Sequence, residues 1–237
     1  MSNTYFQFKQ FRVEQGNCAM KVTTDACIQG AWTPVLPGVK NVLDIGTGTG
    51  LLALMLAQKN NEITIDAIEY DADAAAQAKE NTGNSPWCER INVIEGDVRN
   101  YSFNIKYDLI ITNPPFFSNS LLGDSANKNI ARHTLSLSFT ELFDAIACCL
   151  NDDGYLSILL PLDEYLQWQE IMSDAGWQEL SVLYIKHTTN APVKRVVGLF
   201  CRKEIEARNE TTLVIKNGQE LYTDEFVALL APYYLNL

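Results

Sequence analysis

Asn113, Pro114, Pro115 and Phe116 stand in a row directly after the apolar run YDLIIT of residues 107–112. These residue types suit one task, holding a poorly nucleophilic nitrogen for group transfer. The lone pair of an amide or an exocyclic ring amine is delocalised. It reacts only when it is aligned with its electrophile and the positive charge developing on it is stabilised. The Asn113 side-chain oxygen and the Pro114 carbonyl can accept the two amino hydrogens, and two prolines stiffen the segment that carries them. Phe116 offers a flat face on which an extruded base can stack, an interaction worth about 1 to 3 kcal/mol. The competing reading is a rigid turn with an aromatic cap.

A second constellation lies upstream in VLDIGTGTGLLAL, residues 42–54, where Asp44 is followed by alternating Gly46, Gly48 and Gly50. Glycines at a strand-to-helix turn let backbone N–H groups approach a ligand and leave the helix N-terminus open to it. A dinucleotide fingerprint needs glycine at position 51, and Leu51 stands there, which argues against a nicotinamide or flavin. An acid two residues before the glycines suits a cofactor with a cationic amino group. Glu69, 19 residues after Gly50, closes the run ITIDAIE, where a carboxylate can accept both ribose hydroxyls. Asp97 follows VIEG, where it can accept an adenine amino group while the Val98 N–H serves the ring. Either acid alone reads equally as a solvated charge or a turn former. The inference rests on three acids at successive strand ends.

The elements that must position these residues alternate between strand and helix, the pattern of a parallel sheet covered by helices. Strands are expected at residues 41–45, 62–68, 91–95, 107–112 and 154–160. Helices are expected at 50–59, 73–81, 139–150 and 162–174. Segments 180–186 and 195–202 lack an intervening helix and so pair antiparallel. A strand near 213–215, a turn at Asn217-Gly218 and a helix near 223–230 close the chain. One domain is expected over 1–237, with a capping segment at 1–40, a core at 41–203 and a C-terminal strand and helix at 204–237.

Composition bounds the rest. In 237 residues, 47% hydrophobic and 20% charged content exclude disordered and fibrous classes. No apolar run approaches the roughly 18 residues of a membrane span. The N-terminus lacks the basic and then apolar regions of a secretory signal, so a cytoplasmic protein is expected. Six cysteines without a CxxC and only two histidines assemble no metal-ligand spacing, so no metal is expected. The pair Cys148-Cys149 reads as part of a core helix.

The net charge of −11 argues against generic adherence to nucleic acid. The average conceals segregation, because residues 186–208 hold six Lys or Arg against two acids while residues 134–185 hold nine acids and no Lys or Arg.

The glycine turn resembles the first motif of class I S-adenosylmethionine-dependent methyltransferases, and NPPF resembles the fourth motif of those that act on amino nitrogens. Residues outside these motifs resemble the tRNA1(Val) (adenine(37)-N6)-methyltransferase family. They are Phe8-Lys-Gln-Phe, Met20-Lys-Val, Thr24-Asp25, Gly30-Ala-Trp, Ala131-Arg-His-Thr and Leu221-Tyr-Thr-Asp-Glu-Phe. The resemblance spans nearly the whole chain. It implies a Rossmann-like α/β fold with a seven-stranded, mostly parallel sheet and an antiparallel last strand. It implies methyl transfer from S-adenosyl-L-methionine, leaving S-adenosylhomocysteine, to N6 of the adenosine beside the anticodon of a valine tRNA.

Asn113 to Phe116 are then the catalytic candidates, and Asp44, Gly46, Gly48, Gly50, Glu69, Asp97, Val98 and Asn113 the cofactor candidates. Lys9, Arg12, Lys21, Lys128, Arg132, Lys194 and Arg195 are the candidates for tRNA phosphates, each with solvated surface charge as its alternative. Asp25 reads as an N-cap of a helix over the cofactor. Phe116 replaces the family's commoner Tyr, which keeps guanine-N2 rRNA enzymes as an alternative; glutamine amide enzymes are a further alternative, although they usually carry Tyr at that position and a separate N-terminal helical domain. A cofactor-binding scaffold without catalysis is the alternative from another class.

Overall fold

The apolar runs fold as parallel strands covered on both faces, and for that reason they read as continuous rather than alternating hydrophobic segments. The computed structural model describes residues 4–16, 21–115 and 137–237. Strands β1 (Tyr5–Gln7) and β2 (Arg12–Glu14) form a hairpin, and helix α1 (Thr24–Trp32) follows. Strands and helices then alternate through β3 (Asn41–Ile45), α2 (Leu51–Lys59), β4 (Thr64–Glu69), α3 (Ala72–Gly83), β5 (Ile91–Glu95) and β6 (Tyr107–Thr112). The C-terminal half contributes α4 (Phe139–Cys149), β7 (Leu150–Pro161), α5 (Leu162–Asp174), β8 (Gln178–Thr188), β9 (Val193–Cys201), β10 (Asn209–Lys216) and α6 (Asp224–Leu230).

Among the described residues the main sheet has the order β10-β8-β9-β7-β6-β3-β4-β5. The mostly parallel sheet with flanking helices is as expected, and β9 is its antiparallel strand, lying between β7 and β8. The strand count differs from the expected seven, because β10 pairs parallel with β8 from Asn209 opposite Ser181 to Lys216 opposite Thr188. A strand edge left bare at β8 would invite pairing with other chains, and β10 covers it.

Two cores lie on the two sides of the sheet. One joins α1, α2, α6 and the N-terminal hairpin through Ile28, Leu54, Phe8 and Phe226. The other lies under α4 and α5, around Leu142, Ile146, Tyr165 and Trp168. Helix α2 is apolar all round because it is buried all round. Helix α4 carries its apolar residues at helical spacing and starts with a capping box between Ser138 and Glu141. Its Cys149 is buried and Cys148 is exposed, so only one of the two cysteines is a core residue.

The β1–β2 hairpin escaped the sequence reading because two three-residue strands have almost no pattern of their own. Tertiary packing supplies what propensity does not. Phe8 is fully buried and stacks on Phe11 at 4.4 Å, and the Lys9 N–H donates to the Tyr233 carbonyl.

Candidate active site

Strand order reverses between β3 and β6, and ligands of open parallel sheets bind in the crevice beyond such a reversal. Gly46 leaves β3 and Asn113 leaves β6 at this point, and both line one cavity of about 250 Å³. Sequence separated them by more than sixty positions; the sheet makes them neighbours across one pair of strands.

The glycine turn has the backbone that its composition demands. Gly46, Gly48 and Gly50 have φ of +69°, +57° and +82°, left-handed values that cost an L side chain about 1 to 2 kcal/mol. A Cβ on Gly50 would also come within 3.3 Å of Thr82 Cγ2. The N–H groups of Gly46 and Thr47 both donate to the Ile68 carbonyl, which pins the turn to the end of β4. Gly50 is the N-cap of α2 and supplies no capping side chain. Leu51 and Leu52 therefore present the open first turn of α2 to the cavity that they line.

Asp44 lies beneath this turn, fully buried, and is not part of the cavity lining. Its Oδ2 accepts from Thr47 Oγ1 at 2.6 Å and from the Ala53 N–H at 3.2 Å, so it ties the turn to the first turn of α2. Its Oδ1 is buried without a hydrogen-bond partner among the described residues. Burial pushes its carboxyl from the ordinary 3.8 up to about 7, against the opposing effect of those two hydrogen bonds.

Glu69 lines the cavity at the end of β4. One oxygen accepts the Gly48 N–H at 2.9 Å and the other the Asp71 N–H at 3.0 Å. A carboxylate has about four acceptor sites, so both oxygens keep capacity for a diol. Asp97 and Val98 do not belong to this lining. Arg99 engages both Asp97 oxygens at 2.6–2.9 Å and also reaches Glu141 at the start of α4. The hydrogen bonds from Arg99 hold the Asp97 carboxyl below its ordinary range.

The start of α1 forms the opposite wall with Lys21, Val22, Thr23 and Ala26. The N-cap of α1 is Thr23, whose side chain accepts from the Ala26 N–H; Asp25 is not the cap and instead pairs with Arg195 at 3.5 Å. Asn113 and Pro115 complete the cavity on the β6 side. Asn113 Oδ1 is buried and has no hydrogen-bond partner among the described residues. An unsatisfied buried carbonyl oxygen costs about 1 to 3 kcal/mol, so its presence at the mouth of a cavity calls for a ligand donor.

Phe116, Lys128 and Arg132 lie outside the described residues. Lys9 donates its amine to the Ala231 carbonyl of the C-terminal segment, and within the hairpin Arg12 pairs with Glu14 and lies 3.7 Å over the Tyr5 ring. Lys194 and Arg195 open β9. Among the described residues no group of three or more His, Cys, Asp or Glu is placed to hold a metal, and no helix is long and apolar enough to cross a membrane.

Two buried amides support the site and were missed in the sequence. Gln29 of α1 donates to the Thr112 carbonyl at 2.9 Å, one residue before Asn113. Asn81 of α3 bonds the Thr49 carbonyl and both backbone groups of Glu14, joining the glycine turn to the hairpin. A polar residue inside an apolar helical face, as in CIQGAW, was the available signal.

The sheet order, the glycine turn and the asparagine at its switch point define a class I, Rossmann-like methyltransferase. The Methyltransferase small domain family matches residues 33–160. A crystal structure of a predicted O-methyltransferase from Agrobacterium tumefaciens is 14% identical, covers 90% of this chain and all of that one, and superposes with a TM-score of 0.69. A SAM-dependent methyltransferase from Corynebacterium glutamicum is 15% identical, with 78% and 90% of the two chains covered and a TM-score of 0.50. At that identity both speak to fold alone.

Full-length relatives are nearer. The tRNA1(Val) (adenine(37)-N6)-methyltransferase of Dyadobacter fermentans is 44% identical, with 98% of each chain covered. Those of Tolumonas auensis and Bacteroides fragilis are 41% and 40% identical, each covering all of this chain and 99% and 100% of the relative. The chain belongs to the tRNA1(Val) (adenine(37)-N6)-methyltransferase family.

Proposed function

We propose that this protein transfers a methyl group from S-adenosylmethionine to N6 of an adenosine in tRNA, at position 37 of the valine tRNA that its relatives' names specify. The observation that carries the reading is the buried, unpartnered Asn113 Oδ1 in the same cavity as the glycine turn and Glu69. An exocyclic amine supplies the donor that this oxygen lacks.

The residues present fit the cofactor. Glu69 has acceptor capacity for the two ribose hydroxyls, and the open first turn of α2 suits a carboxylate. Asp44, with one unpaired oxygen beneath the turn, places negative charge below the site for an ammonium group. Bound there, S-adenosylmethionine supplies an electrophilic methyl group on a sulfonium.

The chain's own contribution is positioning. Asn113 Oδ1 accepts one amino hydrogen and the Pro114 carbonyl the other, so the nitrogen is held in line and its lone pair leaves conjugation with the ring. Both acceptors bear partial negative charge and stabilise the nitrogen as it becomes cationic. Phe116 follows them in sequence as the base-stacking residue. Asp97 and Val98 remain the candidates for the adenine edge of the cofactor, with Arg99 as the partner that must share Asp97.

Labelled methyl transfer to unmodified total tRNA, to rRNA and to protein, followed by nucleoside analysis, tests the reading. N6-methyladenosine in tRNA is expected. N2-methylguanosine in rRNA, label in protein alone, or cofactor binding with no transfer would overturn it.

A further inference from the structure

Strand order sorts the charges along the C-terminal rim of the sheet. At the β4 and β5 end the rim carries Glu69, Asp71, Asp73, Glu95 and Asp97. At the other end it carries cations drawn from three strands. Because β9 is antiparallel, its first residues, with Lys194 and Arg195, sit beside the last residues of β8, which on their other side pair with the last residues of β10. Ile185 lies opposite Arg195, Lys186 opposite both Val193 and Val214, and Lys216 opposite Thr188. Lys186, Lys194, Arg195 and Lys216 are thus gathered at one corner from positions spread over thirty residues. His187 is exposed beside them.

Asp224 and Glu225 adjoin the outer edge of this corner, in the first turn of α6, whose N-cap Thr223 bonds the Val214 and Ile215 carbonyls. Asp163 and Glu164 open α5 above β7, inside the cations and nearer Asn113. Glu220 pairs with Lys216 at 3.1 Å, its carboxylate largely exposed, and such a solvent-screened pair is weak and yields readily to a phosphate. Among the described residues the Lys186 amine donates to the Thr189 carbonyl within its own hairpin. Arg195 meets Asp25, which joins the corner to the α1 wall of the cavity.

We propose that the rim formed by β9, β8 and β10 is the track for the phosphate backbone of the RNA, with Lys194, Lys186 and Lys216 as its cations and Arg195 at its inner end. The proposal rests on the reading above that the substrate is RNA. Strands lie about 4.8 Å apart, so the track begins about 10 Å from the end of β6, where Asn113 stands, and reaches the sheet edge about 10 Å further on. That separation lets one nucleotide enter the cavity while its neighbours' phosphates rest on the cations. The acidic end of the rim repels the same backbone, so the RNA body must extend over β9, β8 and β10 and away from the cofactor side.

The test uses the full chain with two doubly charge-reversed variants. One is K186E/K194E on the track; the other is K40E/K106E, with the same change in net charge, at the starts of β3 and β6 on the opposite end of the sheet. Affinity for unmodified tRNA is measured over a salt series, beside affinity for S-adenosylhomocysteine and a thermal melt.

The track variant is expected to lose about tenfold or more in tRNA affinity at physiological salt and to lower the salt slope by about two. Its S-adenosylhomocysteine affinity and melt should stay at wild type, and the control should bind tRNA as wild type does. Unchanged affinity and slope in K186E/K194E would overturn the track, as would an equal loss in the control. So would capture of the wild-type chain by phosphatidylserine vesicles without affinity for tRNA. If tRNA binds through this rim but the label appears in another nucleoside, the track stands and the N6-adenosine reading falls.

Discussion

The Thr112 hydroxyl donates to the Ile45 carbonyl at 2.9 Å, so the residue before Asn113 and the residue before Gly46 are joined by one buried hydrogen bond. The two halves of the site, one binding the cofactor and one holding the nitrogen, are therefore not independent. A shift of β6 against β3 would move Asn113 relative to the glycine turn.

Thr112→Val keeps the shape and removes that donor. The Ile45 carbonyl retains its ladder position, and a net loss of about 1 to 2 kcal/mol in urea unfolding is expected. Turnover should fall by more than cofactor affinity, because the strand ends lose register with each other. A variant with wild-type kcat would separate the two halves energetically.

Asn113→Ala removes the oxygen proposed to accept the amino hydrogen. Calorimetry with S-adenosylhomocysteine should give near-normal affinity, since Glu69 and the glycine turn are untouched. Single-turnover methyl transfer should fall about 100-fold or more, the usual scale for loss of one acceptor or donor at a reacting centre. Near-normal transfer would end the role assigned to Asn113.

Gly30→Ala tests how α1 sits against α2. A Cβ there would meet Met55 Sδ at 2.7 Å and Met55 Cβ at 3.1 Å, and Met55 is fully buried. Overpacking of this kind costs about 1 to 3 kcal/mol. Because α1 also carries Thr23 and Ala26 of the cavity wall, weaker cofactor binding should accompany the lower urea midpoint. A drop in stability with unchanged affinity would show that the wall moves separately from the helix.

Asp44 gives the protein a pH signature. Its carboxyl is raised by burial from the ordinary 3.8 to about 7. The folded chain thus holds a proton that the unfolded chain releases between about pH 4 and pH 7, and stability falls as pH rises through that window. Asp44→Asn keeps an acceptor for Thr47 and Ala53 but has nothing to ionise. Urea midpoints at pH 5 and pH 8 should differ more in the wild type than in D44N. Cofactor affinity should increase from pH 6 to pH 8 in the wild type alone, if the ionised carboxylate attracts the ammonium group.

By itself the sequence determined the alternation of strands and helices and the place of the glycine turn. Runs such as NVLDI and YDLIIT are buried on both faces and announce themselves by continuous hydrophobicity; Gly46, Gly48 and Gly50 announce themselves because only glycine takes their left-handed backbone at little cost. These are local constraints, and local constraints are written in adjacent residues.

Tertiary structure alone decided what lies beside what. Asp44 went beneath the turn rather than into the cavity, Thr23 rather than Asp25 capped α1, and Arg99 took the carboxylate of Asp97. The β1–β2 hairpin exists because Phe8 had a surface to cover, and the strand expected near 213–215 joined the sheet as its eighth because β8 had an open edge. The rim's division into an acidic and a basic end follows from the strand order, which places β9 and β10 next to β8. Such neighbours come from burial and hydrogen bonding summed over segments distant in the chain, and no window of sequence contains both partners.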